Sequence, residues 1–126
     1  MSDITEKLLA LRPQISAETA ENPVEQFQNE TLRPILKYQN ETLIRIFRLY
    51  VIQRKNVFRQ LTAVDRKAYL SNALTKDPKL NSLLKGLVIG LFTEDEWNRY
   101  VLHETEINRR LSNLIEQRLL SNLSEV

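Results

Sequence analysis

The chain contains no cysteine. Disulfides, thiolate nucleophiles and cysteine-based zinc or iron–sulfur centres are therefore excluded. It contains two glycines, where an average composition of roughly 7% would place about nine. Glycine serves turns, bulges and left-handed backbone positions, and a sheet-rich fold needs many of them. The shortage therefore predicts few, long elements, which means helices. Histidine is nearly absent as well, His103 being the only one. No segment approaches the roughly 18 uninterrupted apolar residues of a membrane span. The opening MSDITEKLLALRPQIS lacks the basic start and apolar run of a secretory signal. A cytoplasmic protein without membrane contact or cofactor is expected.

What is present is ordinary in amount and uneven in distribution. Of 126 residues, 42% are hydrophobic and 27% charged, which suits one soluble domain with a real core. The net charge of +2 conceals net −4 over residues 1–32, +7 over 33–67 and −1 over 68–126. Residues 1–21 read as a flexible arm or linker, with one or two amphipathic turns around Ile4, Leu8, Leu9 and Leu11 before Pro13. Residues 22–126 read as the domain.

Cap-then-proline pairs at Asn22-Pro23 and Asp77-Pro78, and Thr62 with Asp65, mark helix starts. From Pro34 to about Arg59 the residues Leu36, Leu43, Phe47, Tyr50, Val57 and Leu61 make a helical stripe. Ile44, Ile46, Leu49, Val51 and Ile52 widen that stripe almost all round, so the middle of this helix is expected to be buried on several sides. Val64, Leu70 and Leu74 predict a shorter helix, and Leu80, Leu83, Leu84, Leu87 and Val88 another. Trp97, Tyr100, Val101, Ile107, Leu111, Leu114, Ile115 and Leu119 predict a last helix running to about Leu120. The expected fold is an all-α, up-and-down bundle of four to five helices behind a flexible N-terminal arm.

The stretch GLVIGLFTEDEW holds both glycines and the single tryptophan. It matches neither the dinucleotide nor the P-loop glycine pattern. Gly86 is read as a point of close helix approach and Gly90 as a left-handed helix stop. Thr93 and Glu96 form a T-x-x-E capping box, and Trp97 heads the final apolar stripe. These five residues are a structural corner. His103 has no second histidine, and residue 100, where a Glu-x-x-His metal pattern needs an acid, is tyrosine. No catalytic or metal-binding residue is assigned, and His103 is expected in solvent.

Arg33, Lys37, Arg48, Lys55 and Arg59 fall within about 80° of one another on a helical wheel, with Arg45 beside them. Such a stripe suits an anionic partner. A non-catalytic protein–protein interaction module, including association with its own copies, is the first reading. An acidic arm docking on the basic helix, or on that of a neighbouring copy, is part of it. Nucleic-acid binding through residues 33–59 is the alternative.

Residues 29–118, through ETLRPILKYQNETLIRIFRLYV, KNVFRQLT and LLKGLVIGLFTEDEW, resemble a family of small all-helical bacterial proteins. Some of these carry the name glyoxalase. The resemblance brings a glyoxalase-like lyase in as a further alternative, by name only. Metal-dependent glyoxalase I enzymes use a βαβββ fold with His, Glu and Gln ligands, and this chain has neither the histidines nor convincing strands. The resemblance transfers no catalytic residue.

Overall fold

Side-chain caps set the helix starts. Asn22 Oδ1 accepts from the Val24 N–H at 2.8 Å and the Glu25 N–H at 3.3 Å. Asp77 Oδ1 accepts from the Lys79 and Leu80 N–H groups, both at 3.1 Å. Thr62 Oγ1 accepts from the Asp65 N–H at 3.3 Å. Each satisfies amide donors that the first helical turn leaves without a backbone partner.

The computed structural model describes residues 3–15 and 19–122. Residues 1, 2 and 16–18 of the expected arm, and 123–126 of the expected domain, lie outside the described residues. The helices are α1 (Asp3–Ala10), α2 (Pro23–Phe27), α3 (Arg33–Tyr38), α4 (Asn40–Gln53), α5 (Ala63–Lys76), α6 (Pro78–Ile89), α7 (Glu94–Leu102) and α8 (Glu104–Ser121). A π-helical turn, Gln28–Leu32, joins α2 to α3, and a 3₁₀ turn, Val57–Gln60, precedes α5. There is no strand among the described residues. The all-α class stands; four to five helices in an up-and-down order do not. The last helix α8 packs against α4, α5, α6, α7 and the π turn, so it is the axis round which the others gather. Its Ile107, Leu111, Leu114, Ile115 and Leu119 are all buried.

The helix count rises because two expected long helices are broken without glycine. The 34–59 run kinks at Gln39 (φ −90°, ψ 5°) and ends at Gln53. There the Asn56 N–H donates to the Val51 carbonyl at 3.1 Å and the Lys55 N–H to that of Ile52 at 3.2 Å. This is the Schellman pattern, with its left-handed residue supplied by Lys55 (φ 62°) rather than glycine. The 94–120 run turns at His103 (φ −136°, ψ 36°). The Tyr100 hydroxyl donates to Asn108 Oδ1 at 2.8 Å across that corner.

Pro34 enters the first turn of α3, where its missing N–H costs little. The wider π turn before it lets adjacent pairs, Thr31–Leu32 and Ile35–Leu36, face inward together. Phe47, Phe58 and Phe27 fill the core, Phe58 meeting Phe47 edge-on at 5.3 Å and Phe27 meeting Phe92 at 5.4 Å. Several expected core positions are instead exposed: Leu49, Ile52, Val57, Val64, Leu83, Trp97 and Val101. The interior stripe of α4 is narrower than the sequence suggests, being Leu43, Ile44, Phe47 and Val51.

Neither glycine does what its place in the sequence suggests. Nothing lies within 4 Å of a Cβ built at Gly86, so no helix approaches closely there. Gly90 has φ −63°, an ordinary right-handed value. The chain leaves α6 by tight turns instead, the Leu91 N–H donating to Val88 and the Phe92 N–H to Ile89, each at 3.1 Å. Gly86 is therefore an exposed helix-interior glycine with open space around it. Gly86→Ala is expected to raise stability by about 0.5–1 kcal/mol. Equilibrium denaturation in urea measures this, and a loss of stability would restore the close-approach reading.

Candidate interaction surface

The TEDEW segment builds a capping box that reaches much further than its own helix. The Thr93 N–H donates to Glu96 Oε1 at 2.9 Å, and the Glu96 N–H donates to Thr93 Oγ1 at 3.2 Å. Arg12 then enters from the N-terminal segment. Its Nη2 donates to Glu96 Oε1 and its Nη1 to Oε2, both at 2.6 Å. Arg12 Nη2 also donates to the Leu91 carbonyl at 3.0 Å. Thr31, fully buried in the π turn, donates its hydroxyl to Oε2 at 3.0 Å. The Arg12 and Glu96 side chains are 8% and 7% exposed, so this is a buried, bidentate ion pair.

The sequence shows the cap but not the pair. Arg12 lies in the stretch read as a flexible arm, 84 residues from Glu96. Its one signal was a base before Pro13 in a segment otherwise rich in acids. The contact also reverses the expected sign: the arm is held to α7 by its base, where its acids were expected to seek the basic helix. Helix α1 itself buries no residue.

Both oxygens of Glu96 are filled by four donors, leaving no free lone pair for a metal or a substrate proton. Burial pushes its carboxyl up, but the Arg12 hydrogen bonds, the Thr93 N–H, the Arg12 charge and the Thr31 hydroxyl together bring it below the ordinary value. The remaining candidate for chemistry, His103, is exposed at the α7–α8 corner. A cavity of about 310 Å³ beside it is lined by Phe27, Arg99, Leu102 and Ile107, with no carboxylate to orient the imidazole. Among the described residues no three His, Cys, Asp or Glu side chains are placed to hold a metal ion. No helix among the described residues is long and apolar enough to cross a membrane.

The predicted basic stripe is distributed over separate segments. Arg33 and Lys37 lie on α3, Arg45 and Arg48 on α4, Lys55 in the turn after it, and Arg59 in the 3₁₀ turn. The kink at Gln39 and the Schellman turn remove the single wheel on which they were aligned. Arg33, Lys37, Arg45, Lys55 and Arg59 are exposed, and none of them stands in an ion pair with another described residue. Three acids of the flanking regions are engaged elsewhere: Glu30 and Asp95 with Arg99, and Glu96 with Arg12.

On α4 the positions Arg45, Arg48, Leu49 and Ile52 follow i, i+3, i+4, i+7 spacing and so share one face. Leu49 is 54% exposed and Ile52 48%. A third feature went unforeseen. An open cavity of about 550 Å³ lies between α4, α5 and the start of α6, walled by Tyr50 and Tyr69. Two of its polar groups, Arg54 and Asp77, already serve one another, while the Tyr69 hydroxyl is buried without a hydrogen-bond partner among the described residues. The Arg54 guanidinium sits 3.5 Å from the Tyr50 ring centroid and reaches Asp77 Oδ2 at 3.2 Å, while Asp77 Oδ1 caps α6.

A scan of protein-family models finds no match to this chain, and searches of curated proteins and of solved structures find none either.

The Arg12–Glu96 pair gives a direct test. Removing one partner of a buried ion pair costs about 3–5 kcal/mol, so Arg12→Met is expected to destabilise by that amount at pH 7. Adding Glu96→Gln should recover part of the loss, because glutamine still closes the capping box and brings no charge. The depressed carboxyl fixes the pH dependence. Its stabilisation is fully present above the unfolded value of about 4.3 and is lost as pH falls through the lower folded value. The difference between wild type and Arg12→Met, measured by denaturation from pH 7 down to 3, should therefore shrink in acid.

Proposed function

We propose that this chain is a cytoplasmic, non-catalytic protein–protein interaction module that binds an acidic, partly apolar partner through the outer face of α4. The observation that supports this reading is the exposure of Leu49 and Ile52 on the face of α4 that also carries Arg45 and Arg48. Exposed aliphatic side chains flanked by arginine fit the make-up of protein interfaces, where an apolar centre sits beside polar groups. Nucleic-acid backbones reward the arginines but offer little to two aliphatic side chains.

A face of the opposite kind exists on the same molecule. Helix α7 presents Glu94 near Trp97 and Val101, at i, i+3 and i+7, and all three are exposed. A second copy is therefore a partner of suitable chemistry. Two different faces meeting in this way make a head-to-tail contact, which closes into a ring or extends as a chain of subunits.

Leu49→Asp with Ile52→Asp should leave helicity and the unfolding midpoint nearly unchanged, because both residues lie outside the core. Sedimentation of the purified chain and capture from native extract should both lose the associated species. Duplex DNA binding that falls steeply with salt and survives the double substitution would instead favour the nucleic-acid reading. Association unaffected by the double substitution would remove α4 from the interface.

A further inference from the structure

We infer that the notch between the start of α3 and the end of α8 is a binding site for a phosphate-type oxyanion, held by Arg33 and Arg118. This rests on a different part of the surface and does not depend on the partner reading of α4. The notch encloses about 220 Å³, with Arg33, Arg118, Gln117 and Ser121 on its polar side and Leu36 and Leu114 beneath. Arg33 lies in the first turn of α3 and Arg118 in the last turn of α8, two elements far apart in sequence.

Two guanidinium groups thus share one small concavity. Among the described residues neither has a carboxylate at ion-pair distance. The partner that Arg118 does have is neutral: its Nη1 donates to Asn40 Oδ1 at 3.1 Å. Burial first, and the neighbouring Arg33 charge second, both act against the charged form of Arg118. The contrast with Arg12 is instructive. There a buried guanidinium is matched by a carboxylate and a carbonyl. Here half-buried Arg118 and exposed Arg33 line one notch with no carboxylate in ion-pair contact among the described residues, and like charges held together disfavour each other.

An anion entering the notch removes that repulsion and satisfies both forks. Guanidinium groups present parallel N–H donors that match the oxygen spacing of phosphate or carboxylate. A phosphate fits better than a carboxylate because its oxygens point in more than one plane, so two arginines from different helices can each engage a pair. The Gln117 side-chain amide adds a neutral donor at the rim. The volume of about 220 Å³ admits a phosphate group.

The experiment is thermal unfolding of the full chain at pH 7 in sodium phosphate, with sodium chloride and sodium acetate at matched ionic strength. Phosphate should raise Tm along a saturating curve that the other two salts do not reproduce. Loss of one charge-assisted contact should weaken half-saturation by about tenfold or more in both Arg33→Gln and Arg118→Gln. Lys67→Gln, exposed on α5 and outside both the notch and the α4 face, should leave the curve unchanged. Arg33 is exposed, so Arg33→Gln keeps the test informative even if Arg118→Gln perturbs folding. Equal rises in acetate or chloride would overturn the site, as would a phosphate response that survives Arg33→Gln.

Discussion

One carboxylate holds three remote parts of this chain in register. Glu96 is buried at the start of α7, where its own side chain closes the capping box at Thr93. A buried carboxylate is costly unless it is paired and hydrogen-bonded. The box uses one lone pair, and the others are filled from outside α7: Arg12 from the N-terminal segment and Thr31 from the π turn. So the segment before Pro13 has a reason to fold back on the domain, and the π turn has a reason to present Thr31 inward. The Leu91 carbonyl, which also accepts from Arg12, extends the same cluster to the loop leaving α6. Such a pair adds less net stability than its short distances suggest, because both ions lose water. Its value is geometric: it ties the N-terminal segment and the π turn to the start of α7.

Much of the architecture was legible because it depends on local signals. The Asn22, Asp77 and Thr93 caps act over two or three residues, and the spacing that identifies them is the spacing that makes them work. The interior of α8 was legible for a similar reason, its apolar positions repeating at helical period over four turns. What was hidden depends on distant residues or on backbone geometry. Nothing near Arg12 announces a partner 84 residues away. The breaks at Gln39 and His103 carry no glycine or proline, so periodicity alone runs straight through them. Glycine misled in the opposite direction. Both glycines occupy ordinary helical backbone, while the left-handed turn falls to Lys55 and Asn56.

The same distinction applies to the candidate surface. Arg33, Lys37, Arg45, Arg48, Lys55 and Arg59 were identified as a group by composition and a single helical wheel. Five of them are exposed and Arg48 partly so, but the wheel itself is divided by the kink and the Schellman turn. A wheel also cannot decide which apolar residues of a broad stripe face inward. Placing α8 against one side of α4 turns Leu43, Ile44, Phe47 and Val51 inward, and that choice leaves Leu49 and Ile52 outside. The mixed face thus follows from tertiary packing that no single helix encodes.

The charge asymmetry takes on a physical meaning once the ion pairs are known. In a chain with net −4 before residue 33 and +7 over the next 35 residues, mutual neutralisation is the simplest expectation. The structure spends its acids differently. Glu30 and Asp95 meet Arg99, and Glu96 meets Arg12, while Arg54 draws on Asp77. Of the bases between 33 and 67, exposed Arg33, Lys37, Arg45, Lys55 and Arg59 stand in no ion pair among the described residues. Uncompensated charge of one sign keeps a protein soluble and speeds encounter with the opposite sign, at some cost from self-repulsion. Part of that cost falls where Arg33 and half-buried Arg118 line one notch. The anion proposed for the notch would relieve it there, and the acidic partner proposed for α4 would relieve it along that helix.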